Sequence, residues 1–286
     1  MTKKILGVSR SPRFSPNSAD RDEAIFQGVV SVLQRSGMEV TRTVEDAFTT
    51  AAGFDAVFTM ARDPQVLQSL SCFEDQGLPV YNSAKALLKA TRTVLTERFE
   101  SAGIPVPASP VCYRLEGQHL VPHFRTALPS EIHFPVWLKR SEACAQSAAD
   151  VCFVENDEQL QCALRSYEQR GIHEVLLSEH LVGDLVKFYG VAGTPFFHAY
   201  YPTADHAFSK FGLERINGAP SGYPLELTAL KQCADHAASL CGIPIYGGDC
   251  IVDVHGQFRI IDFNDWPSYS RCCKEAAEAI ALRVRS

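Results

Sequence analysis

Two carboxylates and an amide near the C-terminus carry the most legible chemistry in this chain. The stretch Tyr246 to Tyr269, YGGDCIVDVHGQFRIIDFNDWPSY, reads as two strands, Asp249 to Val254 and Gln257 to Asn264, joined by His255-Gly256. Glycine at the second turn position suits the positive φ of a two-residue hairpin loop. With that loop, residues equidistant from the turn face each other, so Asp249 stands opposite Asp262. The strand period of two then puts Asn264 on the same face as Asp262. Such a set of hard oxygens suits Mg²⁺ (or Mn²⁺), whose remaining positions water and phosphate oxygens fill. Asp262 interrupts the apolar run Ile260, Ile261, Phe263, where an ionised carboxylate is costly unless paired or metal-bound. The plainer alternative is that these acids decorate a solvated sheet face.

A second group of donors lies near the other end of the chain. Ser11, Arg13, Ser15, Asn17 and Arg21 crowd the connection after the apolar strand Lys4 to Val8. The pattern ahead of them alternates strand and helix. Ala24, Ile25, Val29, Val32 and Leu33 recur at helical spacing until Gly37. Glu39 to Thr43, Ala56 to Met60 and Leu78 to Tyr81 read as strands, and Asp63-Pro64 reads as an N-cap with proline at the first helical position. Alternation of this kind implies a small parallel sheet with its ligand at the carboxyl ends of the strands. The loop from Ser11 to Arg21 is therefore either a substrate-binding loop for a carboxylate or phosphate, or a solvated connection.

Composition narrows the class. The 286 residues, 46% hydrophobic and 21% charged, fit a globular protein of two or three lobes. A net charge of −6 gives no support to nucleic-acid or anionic-membrane binding. No apolar run of membrane-spanning length or signal peptide is visible, so a cytoplasmic protein is expected. The ten cysteines lack paired CxxC spacing and read as reduced thiols.

The hairpin GGDCIVDVHGQFRIIDFNDWPSY resembles the C-terminal metal-binding hairpin of the ATP-grasp superfamily: an acid, a short turn, then acid-x-Asn and a proline. NSAKALLKATRTVLTERFESAGIPVPAS is similar to the family's linker helix and Gly-Ile-Pro passage, with Arg92 where a phosphate-binding lysine is usual. The strand VWLK and the segment EVLLSEHLVGDLVKFYGV follow in family order. The resemblance implies an ATP-grasp fold of α/β and α+β parts: a Rossmann-like pre-ATP-grasp domain over residues 1–103, a central lobe over 104–180 and a C-terminal lobe over 181–286. It implies ATP held by Arg92, Lys139, Ser178, Glu179 and Leu181, with Asp184 at the ribose, and Mg²⁺ (or Mn²⁺) held by Asp249, Asp262 and Asn264. Lys187, Arg215 and Asn217 would act on the transferring group. Arg13, Ser15, Asn17, Arg21 and Arg271 would face the substrate, although Arg271 reads equally as a helix-start salt bridge. Lys139 and Lys187 have ordinary alternatives as surface lysines on strands. One departure is plain: the loop over residues 141–151, SEACAQSAADV, holds no glycine where the family has a glycine-rich phosphate cover.

The implied activity is ligation of a carboxylate to an amine through an acyl phosphate. A kinase of the inositol-phosphate type, acting on a polyol phosphate, is the alternative on the same fold. A nucleotide-binding protein with little catalysis is a third reading. Small molecules are the expected partners, and oligomer formation is open.

Overall fold

The computed structural model describes residues 2–15, 18–107, 111–116, 119–122, 133–141, 147–202 and 213–286. In the first third, β1 (Lys4–Ser9), α1 (Ala19–Arg35), β2 (Glu39–Val44), β3 (Ala56–Thr59), α2 (Pro64–Asp75) and β4 (Val80–Tyr81) build a parallel sheet of order β2-β1-β3-β4. Asp63 caps α2 as expected, its carboxylate accepting from the Gln65 and Val66 backbone N–H groups. Two short helices follow, α3 (Ala84–Leu87) and α4 (Arg92–Ser101), the latter capped by the Thr91 hydroxyl.

The middle of the chain supplies β5 (Val111–Glu116), β6 (His119–Pro122), β7 (Val136–Arg140), β8 (Val151–Val154), α5 (Asp157–Gln169) and β9 (Glu174–Glu179). Among the described residues these strands form an antiparallel sheet of order β6-β5-β9-β7-β8. The apolar stripe of α5, Leu160, Leu164 and Tyr167, is buried in this sheet's core with Leu138 and Val175. The last part comprises β10 (Asp184–Val191), β11 (Phe197–Tyr200), α6 (Leu227–Cys241), β12 (Ile245–Val252), β13 (Phe258–Asp265) and α7 (Cys273–Arg285). Its antiparallel sheet has the order β11-β10-β12-β13.

The β12–β13 hairpin differs from expectation in two ways that cancel at the carboxylates. Asp253 N–H donates to the Gln257 carbonyl and Gly256 N–H to Asp253, so the loop is Val254, His255 and Gly256 rather than two residues. Gly256 takes the positive φ of +79°. That shifts the register by one, pairing Cys250 with Ile260. A β-bulge then leaves Ile261 without a partner and restores Asp249 opposite Asp262. The bulge follows from side-chain chemistry. Ile260 and Phe263 both belong to the core under α4 and α6, which strict alternation forbids. One extra residue turns both inward and leaves Asp262 and Asn264 on the opposite face.

Packing also ties the first part of the chain to the last. The apolar face of α7 (Ala276, Ile280, Val284) shares one core with Ile25, Val29 and Leu33 of α1. Gly28 permits the close approach, since a Cβ there would lie 3.0 Å from that of Ala277. Asn82 binds the same two parts together, its amide exchanging 2.8 Å hydrogen bonds with the backbone N–H and carbonyl of Ile245.

Candidate functional site

Antiparallel register places three charged side chains side by side on one sheet face: Lys187 on β10, Asp249 on β12 and Asp262 on β13. Lys187 Nζ lies 3.3 Å from both Asp249 carboxylate oxygens. Asn264 follows Asp262 on the same face, and its Nδ2 donates to Asp262 Oδ2 at 2.9 Å. Two further cations reach this row from other elements. Arg92, the first residue of α4, directs Nε to Asp262 Oδ1 at 3.3 Å and donates from Nη1 to the Arg140 carbonyl at 2.9 Å. Lys139, from β7, donates from Nζ to the carbonyl of Ile261, the bulge residue, at 2.9 Å.

Electrostatics follow from this geometry. Burial pushes the Lys139 ammonium down to about 8, with Arg92 adding repulsion and Asp262 opposing the shift. Burial by itself would raise Asp262, but Arg92, Lys139 and the Asn264 amide outweigh it and hold the carboxyl at about 2. Three cations (Arg92, Lys139, Lys187) against two carboxylates (Asp249, Asp262) leave this wall with one net positive charge. Such a wall favours a polyanion. Among the described residues no three His, Cys, Asp or Glu side chains group as a metal cluster. Two carboxylates and one amide are nevertheless the hard-oxygen set that fits Mg²⁺ when phosphate oxygens and water complete its shell.

This row is one wall of a cavity of about 360 Å³. Elsewhere the lining combines aromatic and apolar side chains (Trp137 on β7, His180, Leu181, Leu185) with the polar Ser178 and Glu179 on β9. Trp137 Nε1 donates to His180 Nδ1 at 3.2 Å, and Phe153 meets the imidazole edge-on at 5.1 Å. Burial lowers the His180 pKa, and the accepting Nδ1 places the neutral ring's proton on Nε2.

Of the residues singled out in the sequence, Arg92, Lys139, Ser178, Glu179, Leu181, Lys187, Asp249, Asp262, Asn264, Ser15 and Asn217 line this cavity. Asp184 does not, which corrects its expected place at a ribose. Its buried carboxylate accepts the backbone N–H groups of Ser221, Gly222 and Tyr223 at 2.6, 2.8 and 2.9 Å. Arg13 is also corrected: it is ion-paired with Asp46 and Asp63 outside the cavity lining. Arg21 sits in the first turn of α1 and does not line the cavity. Arg271 is exposed and stacks over the Tyr200 ring at 4.1 Å, likewise outside the lining. Arg215 lies on the 3-10 turn Leu213–Asn217, and its side chain, like Asn17, is outside the described residues. So are residues 142–146 of the glycine-free loop. Its flanks are fixed: Ser141 Oγ accepts from Thr93 N–H and donates to Glu174, while Ser147 and Asp150 form a capping box.

Sequence reasoning missed Arg10, Asp22, Arg62 and Asp265, which line the cavity together. Arg10 and Arg62 stand just beyond the carboxyl ends of β1 and β3, the ends that the parallel-sheet rule indicates. That rule had been applied to the loop beginning one residue later. What presents them is buried Glu45, whose carboxylate accepts the backbone N–H groups of Ser11, Arg62 and Asp63 at 2.6, 2.7 and 2.7 Å.

Neither family models nor curated protein sequences give a match. Solved structures do, along the whole chain. A RimK domain protein ATP-grasp from Sphaerobacter thermophilus DSM 20745 superposes with a TM-score of 0.65 at 19% identity, covering 99% of this chain and 100% of that one. The chain has the ATP-grasp fold. A D-alanine–D-alanine ligase from Bacillus anthracis agrees, with a TM-score of 0.63 at 12% identity over 99% of both chains. The same ligase complexed with ATP gives 0.61 at 12% identity, covering 100% of this chain and 98% of that one. In this ATP-grasp chain the cavity lies between the sheet carrying β7 and β9 and the sheet carrying β10, β12 and β13. No helix among the described residues is long and apolar enough to cross a membrane.

Proposed function

We propose that this protein is a Mg²⁺-ATP-dependent ligase that joins a carboxylate to an amine through an acyl phosphate. The observation that carries the reading is the convergence of Arg92, Lys139 and Lys187 on Asp249, Asp262 and Asn264 within one cavity that has an aromatic end. Ser178, Glu179 and Leu181 would hold the nucleobase beside Trp137 and His180, and Arg92 and Lys139 would hold the phosphates. Asp249, Asp262 and Asn264 would hold Mg²⁺ (or Mn²⁺), which when bound neutralises phosphate charge and orients the phosphoryl group. Lys187, paired with Asp249 here, would move onto the transferring group as charge builds there. Arg215 and Asn217 would assist from the 3-10 turn. The carboxylate attacks the γ-phosphorus, ADP departs, and the amine displaces phosphate from the acyl phosphate. No covalent protein nucleophile is required. Two of the similar structures are ligases by name, which supports this class.

The test is incubation of the protein with Mg²⁺, ATP labelled at the γ-phosphate and a metabolite pool, read by mass spectrometry. A dehydrated conjugate with label released as free phosphate is the expected result. Label retained on a polyol product would establish the kinase instead. ATP binding without any product, unchanged by Asp262→Asn, would leave a nucleotide-binding protein. The variant is expected to lower turnover by about 100-fold or more, the scale of losing a transition-state charge stabiliser.

A further inference from the structure

Arg92 and Lys139, the two cations proposed to hold the phosphates, repel each other. Burial pushes the Lys139 ammonium down, and the Arg92 charge adds to that shift. The two also come from separate elements, the start of α4 and the end of β7. Keeping like charges on one wall requires those elements to be fastened together.

The fastening is a cluster of hydrogen bonds behind the cavity, built by Thr93, Ser141 and Glu174, which do not line it. Arg92 N–H donates to the Ser141 carbonyl at 3.1 Å, and Arg92 Nη1 to the Arg140 carbonyl at 2.9 Å. Thr93 N–H donates to Ser141 Oγ at 3.0 Å, and the Thr93 and Ser141 hydroxyls are hydrogen-bonded to each other. Ser141 Oγ donates in turn to Glu174 Oε1 at 3.0 Å, and Ser141 N–H to the Glu174 carbonyl at 2.9 Å.

Proton counting gives this cluster a direction. A hydroxyl carries one proton, and a carboxylate only accepts. Ser141 spends its proton on Glu174, so the Thr93 hydroxyl donates to Ser141 Oγ. Both lone pairs of that oxygen are then filled, one by Thr93 N–H and one by Thr93 O–H. Ser141 thereby caps the N–H groups of residues 92 and 93 from outside the helix, while the Thr91 hydroxyl takes that of Val94. Thr93 and Ser141 are fully buried, where an unpaired hydroxyl or amide is costly, so each member of the chain depends on the others.

We infer that Thr93, Ser141 and Glu174 are positioning residues, a buried clasp that sets the spacing of Arg92 and Lys139 at which adjacent phosphates are held. They act through those two cations, and the clasp preorganises the pair against its own repulsion. This inference rests on the ATP reading of the cavity and names what holds its cations in place.

The experiment measures affinity for ADP with Mg²⁺, and for adenosine, by calorimetry on wild type, Thr93→Val, Thr93→Ser and Glu174→Gln, with thermal melts to verify folding. Thr93→Val keeps the shape and removes the hydroxyl; Thr93→Ser keeps the hydroxyl and removes the methyl. Thr93→Val is expected to weaken ADP about ten-fold, the scale of one lost hydrogen bond to a charged group, and adenosine by no more than about two-fold. Thr93→Ser should hold ADP within about three-fold of wild type, and Glu174→Gln, which offers Ser141 a neutral acceptor, should fall between the two. If Thr93→Val does not fold, Glu174→Gln decides: ADP weakened against unchanged adenosine supports the clasp, and unchanged ADP overturns it. Equal losses of ADP and adenosine, or Thr93→Ser as damaging to ADP as Thr93→Val, would reduce the three residues to packing and overturn the inference. A wild type that prefers ADP, with every variant keeping that preference, overturns the inference alone. A wild type that binds adenosine as tightly as ADP overturns the ATP reading, and the inference with it.

Discussion

Asp184 offers a sharp test of how this fold separates scaffold from site. It opens β10 next to the segment joining the two lobes, where the family resemblance places a ribose contact, yet it spends its carboxylate on three backbone N–H groups of residues 221–223. Each bond to an ionised acceptor contributes roughly 1.5–3 kcal/mol, and truncation orphans the donors as well. Because such terms are not additive, the expected cost of Asp184→Ala is about 3–5 kcal/mol, the range for breaking a buried charged network. Spread over the unfolding entropy of 286 residues, about 0.6 kcal/mol/K, this lowers Tm by roughly 5–8 °C. Asp184→Asn keeps one acceptor oxygen and should lose less. Thermal denaturation followed by circular dichroism measures the first quantity, and ADP titration with Mg²⁺ measures the second. Affinity for ADP should remain within about two-fold of wild type, since lost ribose contacts would cost more than that. A variant with unchanged Tm and ADP binding weakened ten-fold or more would refute the assignment and return Asp184 to the nucleotide.

Two other perturbations bear on the cationic wall and the sheet beneath it. Lys139 has a folded pKa of about 8 against the ordinary 10.5, so between those values the unfolded chain binds more protons and stability rises with pH. From pH 7 to 10 this one group should add about 2.5 kcal/mol, or roughly 4 °C, to wild type relative to Lys139→Met, and parallel melting curves at the two pH values would show no narrowing if the lysine were solvated. Gly248 lies between Phe188 and the β13 backbone, where a Cβ would stand 2.5 Å from both Phe188 Cζ and the Asp262 carbonyl. Gly248→Ala should therefore separate β12 from β13, cost about 1–3 kcal/mol or more in denaturant unfolding, and weaken Mg²⁺-dependent ADP binding; a variant that retains full affinity would show that the hairpin tolerates the shift.

Much of this was legible in the chain. Asp-Pro at the start of α2, glycine at helix ends and the turn glycine Gly256 act through local backbone preferences, which any sequence displays. The pairing of Asp249 with Asp262 was also legible, although by a route that a one-residue longer loop and a bulge at Ile261 together made good. That bulge is a tertiary choice: it exists because Ile260 and Phe263 must both reach the core beneath α4 and α6. Asp184 shows the opposite case, a residue in the expected strand whose carboxylate is claimed by a chain segment far away in sequence.

The sequence by itself determined the strands and helices of the first sheet, the metal hairpin and its acid-x-Asn pattern, because period, caps and turn residues act over a few positions, whereas β5, β6 and β11 carried no such local signal. Only the tertiary structure decided which cations meet those acids. Arg92, Lys139 and Lys187 come from three separated elements, and Arg10, Asp22, Arg62 and Asp265 from four, so no local preference relates them. Their meeting is set by packing: α7 on α1, Asn82 on Ile245 and Glu45 on three backbone amides. Burial then supplies what spacing cannot, a low-dielectric cavity in which the Lys139 ammonium is pushed down and Asp262, beside Arg92 and Lys139, is held low.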